Sequence, residues 1–349
     1  MTPEGWVRTG ARNLITDVPG IEVGEAHDQG VMTGVTVVLP KGRAQAGVSV
    51  MGGAPGTRET DALEPHNLVG SLDAVVLAGG SVYGLAAADG VTAWLAARGR
   101  GYVIPGSDLV APVVPAAILF DLLNGGNKDW GEVPPYRDLG FRACAAAGAG
   151  VTLGNAGAGY GAVAGAYKGG QGTASAISAQ GFTVGAIVAV NAVGSPVIPG
   201  TQTLWAFALE QQGEMGNQHP PVLPVGGISL GLPEDMKRPG GTRENTTIGV
   251  IATDAALSPG EAKRLAIMAQ GGYARALRPS HTGFDGDVVF ALSTGAMPLP
   301  EPRALGLLAL GSLAADVMTR AVGRAVFEAQ SLGRWRAYRE LHGKPIGHG

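Results

Sequence analysis

The stretch TVGAIVAVN, residues 183–191, predicts a strand near the middle of the chain. It lies within residues 143–209, a region of 67 residues in which Lys168 is the only charged side chain. Glycine and polar residues interrupt the apolar ones there, whereas membrane-spanning helices are built on long runs of leucine, isoleucine, valine and phenylalanine. We therefore interpret residues 143–209 as the buried centre of a soluble protein.

Glycine accounts for 58 of the 349 residues, or about 17%, where about 7% is usual. The glycines have no three-residue period, which excludes collagen. The mean hydropathy of +0.17 excludes a disordered linker. The length allows one large domain or two of ordinary size.

Charge and cysteine content exclude several classes of protein. The net charge of −3 provides no basic field for a nucleic acid backbone. A single cysteine, Cys144, excludes a disulfide within the chain, and the six scattered histidines lack the spacing of a metal site. Residues 1–13 lack the apolar segment of a signal peptide, so we expect a cytoplasmic protein that binds neither membrane nor nucleic acid.

The order of predicted elements is β-rich first and mixed α/β later, without regular βαβ alternation. The polar, proline-rich residues 211–244 predict an exposed loop, and the basic residues 334–344 predict a short solvated tail. Predicted strands are residues 34–39, 47–51, 73–78, 183–191, 246–253 and 287–293, with a strand-turn-strand at 13–24. Predicted helices are residues 82–97, 143–150, 258–276 and 303–330.

The junction between Asn245 and Thr246 is the first candidate for chemistry. A polar loop ends there and a buried strand begins. If the peptide bond before Thr246 were cut, that residue would carry a hydroxyl and a free α-amine. Such an amine has a pKa of about 7.7–8.0, so it serves as general base for its own hydroxyl at neutral pH. The alternative is a purely structural role, in which Asn245 and Thr246 only begin a strand. The spacing of the residues alone favours this structural role.

Asp285 and Asp287 flank Gly286 just before a predicted strand. These carboxylates are suited to orient an amine or a lysine; the alternative is a turn with solvated acids. Lys168 is either an exposed loop lysine or a buried one, and a buried ammonium needs a partner. Asp285 or Asp287 would serve as that partner.

Asn191 ends the central strand, where its side-chain amide is a donor suited to an oxyanion; the alternative is a polar cap on a strand turn. Two glycine-rich segments were considered as nucleotide sites. Residues 157–162 fit the dinucleotide pattern but lack the acidic residue that binds ribose. Residues 79–84 follow a strand and offer backbone N–H groups to an anion or oxyanion, but lack the P-loop lysine. We therefore predict no nucleotide cofactor.

Taken together, these segments resemble the DmpA-like peptidases, which include the L-aminopeptidase/D-amidase-esterase, the β-peptidyl aminopeptidases and the NylC-type nylon-oligomer hydrolases. The resemblance covers nearly the whole chain. The motifs that carry it are NLITDVPGIEVG (13–24), RETD (58–61), AGGSVYGL (78–85), KGGQGTAS (168–175), NTTI (245–248) and HTGFDGD (281–287).

The resemblance implies an α/β fold, a four-layer αββα sandwich of the DmpA/ornithine-acetyltransferase type. This fold resembles N-terminal-nucleophile hydrolases but has a different connectivity. It implies one catalytic domain, residues 1–349, that cleaves itself between Asn245 and Thr246. The resulting α chain, 1–245, and β chain, 246–349, stay together, and we expect a homo-oligomer, a tetramer of αβ units.

The resemblance also implies roles for individual residues. Thr246 matches the nucleophile, Lys168 the catalytic lysine of the NylC-type members and Asn191 the oxyanion-stabilising asparagine. Asp285 and Asp287 match the acidic pair that orients the nucleophile's amine and the lysine. Neither a metal nor a cofactor is implied.

One segment departs from the aminopeptidase pattern. Those members carry a glutamate, which holds the substrate's free amine, and a tyrosine two residues later; the matching positions here are Ile118 and Phe120. In this segment the chain more closely resembles the NylC-type hydrolases, in which an amide inside an oligomer is hydrolysed. We expect Ser81, Tyr83, Ile118 and Phe120 to bind substrate.

The sequence thus predicts a self-processing threonine amidohydrolase, with the Thr246 amine or Lys168 taking the proton. Its expected substrates are small peptides, amino-acid amides or ω-amino-acid oligomers, cleaved through an acyl-enzyme. An acyltransferase of the ornithine-acetyltransferase type is one alternative, since it uses a similar threonine. A non-catalytic binding protein that keeps the fold is another.

Overall fold

The computed structural model describes residues 7–223, 227–228, 231–237 and 245–343. The strands are β1 (Arg8–Thr9), β2 (Ile21–Asp28), β3 (Thr33–Pro40), β4 (Ala44–Val50), β5 (Thr57–Arg58), β6 (Ser71–Leu72), β7 (Val75–Ala78), β8 (Tyr102–Val103), β9 (Val110–Ala111), β10 (Ala116–Ile118), β11 (Val163–Ala164), β12 (Tyr167–Lys168), β13 (Gly170–Ile177), β14 (Thr183–Asn191), β15 (Thr246–Ala256) and β16 (Val288–Pro298). The α-helices are α1 (Ala87–Ala96), α2 (Tyr136–Ala145), α3 (Pro259–Ala269), α4 (Gly271–Ala276), α5 (Arg303–Phe327) and α6 (Tyr338–His342).

Two sheets form the centre of the described part of the chain. The larger has the strand order β1-β13-β14-β15-β16-β4-β6 and the smaller the order β2-β3-β7-β10-β5. Helices α3, α4 and α5 pack on the larger sheet, and α1 and α2 on the smaller one. A third apolar core lies between the sheets. The expected four-layer αββα sandwich is therefore confirmed.

The central strand β14 is apolar throughout because apolar layers cover both of its faces. Ile187 and Ala189 point into the core between the sheets, whereas Val188 and Val190 point into the core under α5. Strand side chains alternate between faces, so a strand between two apolar layers needs apolar residues at every position. This arrangement explains the weakly charged region seen in the sequence.

Glycine allows helix α5 to lie directly on strand β13. A Cβ atom at Gly172 would lie 2.0 Å from the carbonyl oxygen of Ala321, and one at Gly170 would lie 2.5 Å from that of Ala325. Such distances exclude any side chain. Part of the glycine excess is thus a packing requirement of this helix–sheet contact.

Helix α5 is long and apolar enough to cross a membrane by length and composition, but 67% of its most apolar window is buried within the protein. Its Arg320 pairs with Glu214 at 2.6 Å, and these side chains are 4% and 5% exposed. Arg320 also donates to the Asn13 side chain at 2.8 Å. This buried network joins the start of the chain and the loop around Glu214 to α5.

Several element predictions are confirmed. Strand β14 has the predicted bounds, β15 begins at Thr246, and α5 begins at residue 303. The N–H of Ser258 donates to the Glu261 carboxylate at 2.8 Å, and the capping box that begins α3 is present.

Other predictions were wrong in local detail. The first half of the strand-turn-strand at 13–24 is a 3-10 turn, because the Asp17 carboxylate accepts the N–H groups of Arg12 and Leu14. The helix predicted at 143–150 is α2, which begins at Tyr136 and ends at Ala145. Strand β13 was not predicted, since its small residues have little β propensity.

The exposed loop predicted at residues 211–244 is described only in part. Residues 224–226, 229–230 and 238–244 lie outside the described residues, as do 1–6 and 344–349. The described residues 211–223 contain neither helix nor strand, in agreement with the prediction.

Replacing Glu214 by alanine is expected to lower the free energy of unfolding by about 3–5 kcal/mol, because it leaves the buried Arg320 guanidinium without a carboxylate. Urea denaturation followed by circular dichroism measures this. The control is Asp138→Ala, which removes an exposed partner of Arg142 (side chains 70% and 55% exposed) and should change stability by less than about 1 kcal/mol. Equal losses in the two variants would contradict a stabilising role for the buried network.

Candidate active site

Three strand ends meet at one edge of the larger sheet. Thr246 begins β15 and lies directly opposite Asn191, the last residue of the antiparallel β14. Strand β16 runs parallel to β15, so the residues that precede these two strands meet at the same edge. Asp285 and Asp287 belong to the segment before β16 and therefore reach the start of β15. The sheet topology alone brings these four predicted residues together.

Both acidic residues are buried and accept hydrogen bonds from protein groups, so they are not solvated acids of a turn. Asp287 accepts the N–H of Thr247 at 2.8 Å. Asp285 accepts the N–H of Val193 at 3.2 Å and the hydroxyl of Thr282 at 2.7 Å. Burial raises the pKa of Asp285, and the charge of Asp287 raises it further.

His281 adds a second titratable partner to Asp287. Its backbone N–H lies 3.0 Å and its Nδ1 2.9 Å from Asp287 Oδ2. Burial lowers the pKa of His281, but the hydrogen bond to Asp287 and its charge outweigh burial, and the pKa is raised above its ordinary value. The sequence motif HTGFDGD contains this histidine but does not indicate its contact with Asp287. Within the described residues, no group of three candidate ligands converges on a metal site.

The carbonyl of Asn245, which precedes Thr246, receives two hydrogen bonds. The Gly286 N–H donates to it at 2.9 Å, and the Thr246 hydroxyl donates to the same oxygen. A Cβ atom at Gly286 would lie 2.6 Å from Thr246 Oγ1 and 2.9 Å from the carbonyl oxygen of Ala54. Only glycine fits between the two aspartates, a requirement that the sequence alone did not indicate.

The Asn191 side chain is held by several partners in the buried interior. Its Oδ1 accepts the N–H of Val163 at 2.9 Å and Nδ2 of Asn124 at 3.1 Å. Its Nδ2 donates to the carbonyl of Phe120 at 2.8 Å. These partners hold the Asn191 amide in one orientation, so the direction of its N–H groups is defined. The side chain does more than cap a turn.

Lys168 is fully buried, at 0% exposure. Its Nζ donates to the carbonyl oxygens of Gly169 at 2.7 Å and Gly159 at 3.3 Å. Burial lowers the pKa of Lys168 to about 7, and the charge of Asp121 partly opposes that effect.

The predicted pairing of Lys168 with Asp285 or Asp287 is wrong. Both aspartates accept hydrogen bonds from groups of their own loop and of neighbouring strands, and no described hydrogen bond or ion pair joins either of them to Lys168. The carboxylate that acts on Lys168 is Asp121, which follows β10. A lysine whose pKa is lowered to about 7 does not depend on a direct carboxylate contact, because its neutral form is accessible at neutral pH.

Three of the backbone N–H groups that residues 79–84 were expected to offer to an anion are used within the protein. The Gly79 N–H donates to the carbonyl of Gly34, and the Ser81 N–H to that of Leu119. The Gly80 N–H donates to Asp121 at 2.7 Å. These donors are consumed in holding the loop and the buried Asp121.

The predicted substrate-binding residues fall into two groups. Ile118 is buried against Gly56, and Phe120 is half-buried with its carbonyl on Asn191. Ser81 and Tyr83 lie on a 3-10 helix, where the exposed Tyr83 contacts Trp130 edge-on at 5.3 Å. Only Phe120 therefore has a described contact with the predicted catalytic residues.

The basic segment near the C-terminus is not merely a solvated tail. Trp335 Nε1 donates to the Asn124 carbonyl at 2.9 Å, and the Lys168 N–H donates to the Arg336 carbonyl at 2.8 Å. Tyr338, on α6, is buried. The aromatic residues Trp335 and Tyr338 were the signals in this segment that pointed to packing, and a net count of charges obscured them.

Comparisons with known proteins identify the family of this chain. The sequence profile of peptidase family S58 matches residues 13–337. Uncharacterized aminopeptidases of Mycobacterium bovis and Mycobacterium tuberculosis are 46% identical to this chain, over 94% of it and 98% of each relative. A 6-aminohexanoate-oligomer endohydrolase of Kocuria sp. is 29% identical, over 90% of this chain and 86% of the relative.

Solved structures share the fold at 24% sequence identity. The L-aminopeptidase D-Ala-esterase/amidase of Ochrobactrum anthropi, described as a variant of the Ntn hydrolase fold, superposes with a TM-score of 0.68 and coverages of 97% and 96%. A beta-aminopeptidase of Burkholderia sp. gives 0.69, with coverages of 95% and 92%. The profile match and the 46% identity show that this chain belongs to peptidase family S58 and is a hydrolase of peptide or amide bonds.

Proposed function

We propose that this hydrolase is a self-processing threonine amidohydrolase whose nucleophile is Thr246. The observation that carries the proposal is the contact of the Thr246 hydroxyl with the Asn245 carbonyl, whose oxygen also accepts the Gly286 N–H at 2.9 Å. A nucleophile and an oxyanion donor thus meet at the same carbonyl, the arrangement that acyl transfer requires.

Self-cleavage then proceeds by an N-to-O acyl shift. Thr246 Oγ1 forms a bond to the Asn245 carbonyl carbon, the bond from that carbon to the Thr246 nitrogen breaks, and the hydroxyl proton passes to this nitrogen. Water hydrolyses the resulting ester. The products are the carboxylate of Asn245 and a free α-amine on Thr246, and the Gly286 N–H stabilises the oxyanion in both steps.

Lys168 is the base that we assign to the first step. Before cleavage the Thr246 nitrogen belongs to a peptide bond and does not accept a proton, whereas an amine with a pKa of about 7 is half neutral at pH 7. Lys168 and Thr246 are not hydrogen-bonded in this structure. Proton transfer therefore involves a bridging water or a movement of the lysine side chain.

In the cleaved enzyme, the new amine of Thr246 is adjacent in the chain to Thr247, whose N–H donates to Asp287. The acidic pair stabilises and orients this amine, which acts with Lys168 as proton acceptor. Thr246 attacks the substrate carbonyl, while Asn191 Nδ2 and the Gly286 N–H donate to the oxyanion. Water releases the acyl group and regenerates the hydroxyl.

We infer that the substrates are small peptides, amino-acid amides or ω-amino-acid oligomers. Ile118, at the position of the amine-binding glutamate in the aminopeptidase pattern, is an apolar residue that cannot hold an ammonium group. Within this set, the apolar residue favours ω-amino-acid oligomers over amino-acid amides, whose free amine lies beside the scissile bond, and one relative is named an oligomer endohydrolase. A screen of amino-acid amides against 6-aminohexanoate oligomers separates these classes.

Replacing Thr246 by alanine is expected to leave one full-length band of 35.1 kDa on a denaturing gel, because the attacking hydroxyl is gone. The wild type should give two chains, of 245 and 104 residues (349 − 245 = 104). Thr246→Ser is the control, since it keeps the hydroxyl and should still be cleaved. An active wild type that remains a single full-length chain would rule out the mechanism.

Gly286→Ala is expected to prevent self-cleavage, because its methyl group would lie 2.6 Å from Thr246 Oγ1 and displace the nucleophile. Gel analysis of the purified protein measures the cleaved fraction. Gly283→Ala is a matched control in the same loop, since a methyl group there meets nothing within 4 Å. If both variants were cleaved like the wild type, the placement of Thr246 against Gly286 would be wrong.

The rate of self-cleavage should rise with pH through about 7 and then level off, because Lys168 must be neutral to accept a proton. One pH unit below the pKa, the neutral fraction and the rate fall about tenfold. Conversion of freshly translated precursor, followed on gels after a pH jump, tests this. Lys168→Met should abolish the reaction throughout; a pH-independent wild-type rate, or cleavage of that variant, would exclude the lysine as base.

A further inference from the structure

We propose that Asn124 is a positioning residue, which fixes the orientation of the Asn191 amide and thereby aims Asn191 Nδ2 at the reaction centre. This inference rests on the proposed role of Asn191 as an oxyanion donor. Asn124 lies in a loop that is distant from Asn191 in sequence, and neither its type nor its spacing singled it out as part of a site.

The contacts of Asn124 are those of an orienting residue. Its side chain is buried, with the whole residue 4% exposed. Its Nδ2 donates to Asn191 Oδ1 at 3.1 Å and to the Gly161 carbonyl at 2.9 Å. An amide nitrogen carries two hydrogens, so each of these acceptors receives one. The Asn124 amide therefore donates one hydrogen bond to Gly161, in the glycine-rich segment, and one to Asn191.

Backbone partners identify which atom of each side-chain amide is the nitrogen and which is the oxygen. Gly161 offers only a carbonyl oxygen at its contact, so the atom of Asn124 that faces it is the nitrogen. Val163 offers an N–H and Phe120 a carbonyl to Asn191, so Oδ1 and Nδ2 of that residue are assigned without ambiguity. The bond from Asn124 to Asn191 thus joins a true donor to a true acceptor.

The loop that carries Asn124 is itself held by a local hydrogen bond and by a contact from the C-terminal region. The Asn124 N–H donates to the Asp121 carbonyl at 3.1 Å, and its carbonyl accepts Trp335 Nε1 at 2.9 Å. After the proposed cleavage, Trp335 belongs to the β chain and Asn124 to the α chain. The β chain therefore helps to hold the residue that orients the oxyanion donor on the α chain.

Asn124→Asp tests the proposal with a change of almost no volume. It replaces the donor by a carboxylate oxygen that faces Asn191 Oδ1 and the Gly161 carbonyl. Repulsion between these acceptors turns the Asn191 amide away from the reaction centre. Since loss of one oxyanion donor lowers kcat by about 10²–10³-fold, we expect a loss of about 10–100-fold in kcat with KM little changed.

Two controls separate positioning from folding. Asn127→Asp makes the same chemical change in the same loop, where an exposed asparagine oxygen only accepts the Asp129 N–H, and it should leave kcat unchanged. Asn124→Ala removes the donor without adding repulsion and should lose less than Asn124→Asp. If Asn124→Asp does not fold, Asn124→Ala is used for the same measurement.

The decisive measurement is a double-mutant cycle with Asn191→Ala, using the amide or oligomer that wild type cleaves fastest and the cleaved enzyme fraction measured on gels. If Asn124 acts through Asn191, the Asn124→Asp and Asn124→Ala changes should cost less than about 3-fold in the Asn191→Ala background. Equal losses in both backgrounds, or no loss in either, would overturn the proposal. If Asn191→Ala alone left kcat unchanged, the proposed oxyanion role would fail instead, which is a distinct outcome.

Discussion

The pairing of β14 with β15 is the constraint on which the rest of the site depends. Its register places Asn191 opposite Thr246. A slip by one residue would turn every side chain of a strand to the other face. Ile187 and Ile248 point into the core between the sheets, while Val188 points under α5, so such a slip would misplace the apolar residues of both cores. Burial of the whole strand thus fixes the positions of Asn191 and Thr246, the proposed catalytic groups.

A site at this position must keep polar groups in an apolar interior, and the structure shows how it does so. Asp285, Asp287 and Asn191 are each held by N–H groups, hydroxyls or amides that compensate for lost solvent. Lys168 is different, because it contacts only carbonyl oxygens and its pKa is lowered to about 7. Side chains whose pKa is shifted in this way concentrate at sites where a proton must be transferred.

Local sequence patterns predicted much of this protein. The apolar run of β14, the capping box at Ser258 and the motifs around Thr246 and Asp287 were identified from neighbouring residues alone. The resemblance to DmpA-like peptidases was confirmed by the family match. Contacts between distant segments were not predicted: the link from Asn124 to Asn191 and the action of Asp121 on Lys168 join loops that no periodicity connects.

The sequence by itself determined the bounds of the buried strand β14 and the residues that are candidates for the chemistry, because an apolar run and a turn motif depend on adjacent side chains. Tertiary structure alone decided which groups meet. The N–H of Gly286 reaches the Asn245 carbonyl only because β15 and β16 run parallel and start at the same edge. Lys168 was assigned to the wrong carboxylates because electrostatic partners are set by distance in space, and in the fold its Nζ lies on the carbonyl oxygens of Gly159 and Gly169.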